Sequence, residues 1–201
     1  MKKNGKGNKL RQQLAAEAAR IMATEGQKSF LVAKQKAAKR LGACERTGLP
    51  SNLEVEEELK LWQQLYGGES QAEQLAELRQ GAVRAMRFLA AFSPRLVGPV
   101  LEGTADGFSR ICLHVFSDDP DAVVHHLMQH GIEFEQERRK IRWHDGDHRH
   151  IEVLVVQAGD NTVEMSLMIG RDALHAPRSP VDGQPLKRAS LDEVEALLQL
   201  A

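Results

Sequence analysis

The sequence predicts an α+β protein, a helical N-terminal half packed on a small mixed β-sheet with one interposed helix. Three observations carry that prediction. Apolar residues recur at helical spacing through roughly the first ninety positions. After Ser93-Pro94 the period changes to short runs rich in Val, Leu and Ile. One strongly signalled helix, opening at Asp119-Pro120, stands among those runs.

The elements follow in order. Leu10, Leu14, Ala18, Ile21 and Met22 mark one face of a first helix, which Gly26 ends. Ser29 caps a second, with Phe30, Ala33, Ala37 and Leu41 inward and Lys34, Lys36, Lys39 and Arg40 outward; Gly42 stops it. ERTGLPSN is a loop. Ser51 or Asn52 caps a third helix, whose first turn holds Glu54, Glu56 and Glu57, as the helix dipole favours. Its apolar side is Val55, Leu59, Trp62 and Leu65 or Tyr66. A long fourth helix, about Gln71 to Phe92, carries Leu75, Leu78, Ala82, Met86 and Leu89 and ends at Ser93-Pro94. Arg95–Leu101 and Arg110–Phe116 read as strands around the turn EGTADGFS. The helix from Asp119 runs to His130, with Gly131 closing it. Strands are expected near Glu133–Glu137, Lys140–Trp143, Arg149–Val156 and Thr162–Ile169, with a hairpin turn at Asp145-Gly146. APRSPVDGQPLKRAS crosses the surface, and Ser190 with Glu193 forms a capping box for a final helix. The expected divisions are a helical region over 1–93, an α/β core over 94–170, and a strap with terminal helix over 171–201.

Composition sets limits. The chain has 201 residues, 42% hydrophobic and 27% charged, enough for one domain with a helical extension. No run approaches the length of a membrane span, and the basic N-terminus is followed by a polar helix instead of the apolar core of a signal peptide. Cys44 and Cys112 are far apart and form no CxxC, which fits a reducing cytoplasm, with Cys112 packed in a strand. The net charge of −1 hides an asymmetry: through Arg46 the chain holds twelve Lys/Arg against three Glu. Such an arm can meet nucleic acid, or it can be a solvated helix face.

The stretch from Gly103 to Phe116 resembles the core of the nucleotidyltransferase (polymerase-beta-like) superfamily. There a Gly-Ser or Gly-Thr pair opens the turn, and Asp-x-Asp on the next strand holds two Mg²⁺ ions, both acids sharing one strand face. Gly103-Thr104 matches the pair, and Ser109 to Phe116 matches the strand, so the acid positions are occupied by Arg110 and Cys112. Arg149 to Val153 resembles the strand of the third acid, with Glu152 in its place. Asp106 lies in the turn, and Asp118 and Asp119 lie past the strand. The phrases GPVLEGTA, LHVFSDDP and SPVDGQPLKRAS also make the whole chain similar to a group of uncharacterised bacterial nucleotidyltransferase-like proteins of comparable length.

That resemblance implies phosphate binding by Gly103, Thr104, Ser109 and Arg110, since a guanidinium pairs well with phosphate oxygens. Glu152 is left as the catalytic candidate, and Mg²⁺ is required only if transfer is live. Three functions stay open: a degenerate module that binds nucleotide, or RNA with help from the basic N-terminal helices; an active divergent enzyme moving a nucleoside monophosphate; and a protein-interaction partner. Of the histidines, His126 with His130 and His148 with His150 have spacings that could begin a metal site or simply decorate a helix and a hairpin. His114 faces opposite to Leu113 and Val115, as a buried histidine or a cleft residue. Arg171, Arg178, Lys187 and Arg188 could lie over the sheet near the turn or in a solvated strap. Neither GxSxG nor GxxxxGK[ST] occurs.

Overall fold

The computed structural model describes residues 4–43 and 48–199, and only the backbone of residues 4–6, 69 and 171. Cys44 and part of the ERTG loop lie outside the described residues. The fold is α+β, with helices on either side in sequence of a single five-stranded mixed sheet. It divides into two compact units, residues 1–71 with 180–182, and residues 72–179 with 183–201.

The first unit is built by α1 (Asn4–Glu25), α2 (Phe30–Arg40) and α3 (Asn52–Tyr66). Ala15, Ala18, Ala19, Ala33, Ala37 and Ala38 are buried between them together with Leu14, Ile21, Val55 and Leu59. Alanine at that many contact positions lets helix backbones approach closely, so little bulk is needed to fill the seam. Ser29 caps α2, its hydroxyl accepting from the Val32 N–H. Ser51 and Glu54 form a reciprocal capping box on α3.

In the second unit α4 (Gly68–Phe88) enters from Ala72 onward. The expected strand Arg95–Leu101 is instead β1 (Arg95–Val97) followed by a single helical turn, α5 (Pro99–Glu102). Gly98, at φ 75°, breaks the strand, and proline at the first helical position starts the turn. Then come β2 (Ile111–Ser117), α6 (Ala122–Gln129), β3 (Glu135–Arg142), β4 (His148–Ala158), β5 (Asn161–Ile169) and α7 (Leu191–Gln199). Helix α6 starts later than Asp119-Pro120 suggests, because the Asp119 carboxylate accepts from the Asp121 N–H and folds that segment into a turn. The two strands expected over Glu133–Trp143 are the one strand β3, since nothing in Arg138-Arg139 interrupts its alternation.

The strand order is β1-β2-β5-β4-β3, with β2 and β5 parallel and the other pairs antiparallel. One sheet face, with Ile111, Leu113, Val115, Leu154, Val163 and Met165, packs against α4, α6 and α7 in the main core. The other face carries a smaller cluster of Trp143, Ile151, Val153 and Met168. Ala189 pairs with Leu96 through two 2.9 Å backbone bonds and covers the outer edge of β1. Among the described residues no helix is long and apolar enough to cross a membrane.

Candidate anion-binding site at the arginine–glutamate cluster

Strand parity decides which side chains meet. Ile111, Leu113 and Val115 enter the main core, so Arg110, Cys112, His114 and Phe116 point to the opposite face. The parallel register sets Cys112 beside Glu164 and His114 beside Ser166. From β4 and β3 the same parity brings Val155, Glu137 and Arg139 to this face. Groups from three strands therefore converge at one end of it.

Their geometry is an arginine–glutamate cluster. Arg110 Nη1 donates to Glu164 Oε1 at 2.5 Å. Arg139 grips the same carboxylate with Nη1 on Oε2 at 2.6 Å and Nη2 on Oε1 at 2.8 Å. Arg139 also donates to Glu137 Oε2 from Nε and Nη2. Bidentate pairing of this kind is both strong and orienting. The Cys112 thiol lies 3.9 Å from Glu164 Oε2. Burial by itself pushes the Glu164 carboxyl up, but hydrogen bonds from Arg139 and Arg110 outweigh it and hold the group below its ordinary value. Glu164 in turn raises the Arg139 guanidinium, against the effect of burial, and Glu137 adds to it.

A second polar group sits further along the face. His114 is 4% exposed, and its Nδ1 accepts from Arg188 Nε at 3.0 Å, which places the ring proton on Nε2. Burial, then the charge of Arg188, lower the imidazole to about 3, so it is neutral at physiological pH. Arg188 also donates to the carbonyls of Ala173 and His175 and lies 5.0 Å over the Phe116 ring. The strap thus crosses β2, fixed by Arg188, one of the basic residues expected there.

The sequence-derived candidates do not all meet. Arg110 is at the cluster. Ser109 adjoins it, but its hydroxyl donates to Asp106 Oδ1 and accepts from the Asp106 N–H, closing the loop instead of facing a ligand. Gly103, at φ 78°, terminates α5 against α4, where an added Cβ would lie 3.8 Å from Arg79 Nη2. Thr104 is buried beside it, its N–H bonded to the Pro99 carbonyl. Glu152 is on the wrong face: Val155 is the register partner of Glu164, and three residues along a strand reverse the side. It pairs with Arg138 at 3.4 Å and accepts from Gln136. The carboxylate that stands beside positions 110 and 112 is Glu164, which spacing alone did not single out. Its signal was an acid placed within the apolar run TVEMSLMI, where an unpaired charge would be costly.

The cluster does not fit a pair of Mg²⁺ ions. Its two carboxylates, Glu137 and Glu164, are bridged by a guanidinium, and two arginines already neutralise Glu164. Among the described residues no three His, Cys, Asp or Glu groups are placed to hold a metal. His126 and His130 lie ring against ring at a tilt, His126 also tilted on Phe88 and His130 edge-on to it, with His130 Nδ1 against the His126 carbonyl. His148 and His150 are exposed on β4.

Among the described residues of the basic N-terminal helices, Arg11, Arg20, Lys34, Lys36 and Arg40 have partners within their own unit. Glu17 binds Arg20 and Arg40, Glu25 binds Arg40 and Lys36, and Glu54 binds Arg11 through two 2.7 Å bonds. Lys34 donates to the Pro50 carbonyl and Asn52.

Fold and site together define an α+β protein whose five-stranded sheet bears an arginine-rich ion cluster on the face opposite the main core. Comparison with protein-family models, with curated proteins and with solved structures gives no match.

Proposed function

We propose that the protein is a nucleotidyltransferase-like module that binds the phosphates of a nucleotide at the half-exposed Arg110, on the sheet face that carries the Arg110–Glu164–Arg139 cluster, without two-metal catalysis. The observation that supports this most is the position of Arg110. It occupies the strand site where a first metal-binding acid is expected, uses only Nη1 on Glu164, and keeps a half-exposed guanidinium head for an incoming oxyanion. Glu164, the carboxylate nearest that site, is committed to two arginines, so the charge stabilisation that metal ions give phosphoryl transfer has no evident holder. The ion pairing of Arg11, Arg20, Arg40 and Lys36 favours nucleotide over RNA as the anion, because cations already matched release fewer counterions on binding a polyanion.

The test is a titration with a fluorescent ATP analogue, once in EDTA and once with Mg²⁺. Saturable binding in EDTA that weakens about tenfold in Arg110→Ala supports the proposal. Mg²⁺-dependent transfer of labelled nucleotide to any acceptor overturns it in favour of an enzyme. Absence of nucleotide binding in both buffers overturns it, in favour of an RNA-binding module where RNA binds in a salt-dependent manner and of a protein-interaction role where it does not.

A further inference from the structure

We infer that the cavity between α4, α6 and the helix-covered face of the sheet is a binding site for a small amphipathic monocarboxylate, its apolar tail inside and its carboxylate at the mouth. The site is separate from the Arg110 cluster, which lies on the other face.

The cavity has a volume of about 220 Å³ and opens to solvent. That exceeds the ~150 Å³ of an apolar cavity able to hold benzene. Protein cores normally close such space. Its walls are apolar, with Phe88, Leu89, Leu127, Ile132, Val163 and Met165 among them. Polar groups are confined to Arg84 and Asn161, and Arg84 and Ala158 are the exposed members of the lining. An apolar body with polar groups gathered at one end is the usual form of a site for a ligand of mixed character.

Gly81 explains why the two polar groups meet. A Cβ there would lie 2.9 Å from Ile111 Cδ1, 3.0 Å from Asn161 Nδ2 and 3.7 Å from Arg84 Nη2. The missing side chain therefore leaves a gap into which a guanidinium and a carboxamide both direct N–H donors. Neither is engaged: Arg84 and Asn161 make no side-chain hydrogen bond or ion pair among the described residues, whereas Arg87, one turn on, pairs with Glu195. Two N–H donor groups face this gap and the one charged group among them is a cation, which calls for an anion carrying one negative charge. A carboxylate can accept from both groups at once, and the cavity beneath takes its tail.

The experiment titrates the full chain with octanoate and, separately, with 1-octanol, and follows backbone amide shifts. Octanoate is expected to saturate with shifts at Gly81 and Val163. Arg84→Gln, an exposed substitution, should weaken octanoate about tenfold and leave octanol unchanged. Ala158→Trp, at the mouth, should weaken both. The inference is overturned if octanoate does not saturate, if its shifts map away from Gly81, or if Arg84→Gln fails to separate acid from alcohol.

Discussion

The guanidinium of Arg110 and the carboxylate of Glu164 meet across the parallel β2–β5 pair, 54 positions apart in the chain. Glu164 is also the partner of Arg139, so one largely buried acid of β5 ties the start of β2 to the middle of β3. This makes Glu164 both a structural clasp and a competitor for any anion that approaches Arg110.

Glu164→Gln separates those roles. Losing the charge leaves two guanidiniums facing each other and should cost roughly 1–3 kcal/mol in urea unfolding, a range kept low because both arginines are partly hydrated. In the same variant the freed Arg110 should bind ATP several-fold more tightly. A stability loss accompanied by unchanged or weaker nucleotide binding would refute the competition.

Acid titration reads the same pair. The folded carboxyl lies below its ordinary value of 4.5, so its contribution is fully present above 4.5 and disappears as pH falls through the folded value. Unfolding free energy measured below pH 4.5 should decline less steeply in Glu164→Gln than in wild type.

His114 acts over a higher window. The unfolded imidazole takes a proton below 6.5, the folded one only near 3, so the unfolded state binds more protons between those values. Stability should therefore drop as pH is lowered from 6.5 toward 3, by up to about 1.4 kcal/mol per unit. His114→Asn, which keeps an acceptor for Arg188, should flatten the curve between pH 6.5 and 5. Urea midpoints across pH give the comparison, and an equally steep variant would show that some other group is responsible.

In the helical unit, Glu54 serves both the Ser51 cap and Arg11, and hydrogen bonding from Arg11 holds its carboxyl at about 2. Glu54→Gln should cost about 0.5–1 kcal/mol, limited by the exposure of the pair. Faster hydrogen exchange in the first turn of α3 is the direct readout.

Trp143 is 1% exposed and anchors the small cluster with Ile151, Val153 and Met168, its indole also under Arg149 at 5.0 Å. Trp143→Ala should cost about 3–5 kcal/mol. Only the fluorescence of the more exposed Trp62 would remain, which identifies the loss with this residue.

Local chemistry made much of this fold legible. Ser51 with Glu54 and Ser190 with Glu193 announce their helices, because a capping box is complete within four residues. The alternation of β2 places Arg110, Cys112 and His114 on a common face for the same reason. The site resisted because Glu164 is chosen by register between strands, and register is set by turns and packing far from either residue. A shift of one position separates Glu152, facing the helices, from a residue facing the cluster. Likewise Gly98-Pro99 looked like the interior of a strand until its backbone conformation replaced three expected strand residues with a helical turn.

The placement of β5 between β2 and β4 also governs how the chain must assemble. During synthesis the β1–β2 pair and the β3–β4 hairpin leave the ribosome as separate halves, each with a raw edge. Only when the segment ending at Ile169 emerges can it slide between them and join the sheet. A nascent chain stopped short of that point holds two incomplete ribbons rather than a smaller sheet, and late insertion of a central strand is slow because it closes the longest loops. Through this interval the unpaired edges of β2 and β4 are open to pairing with another chain.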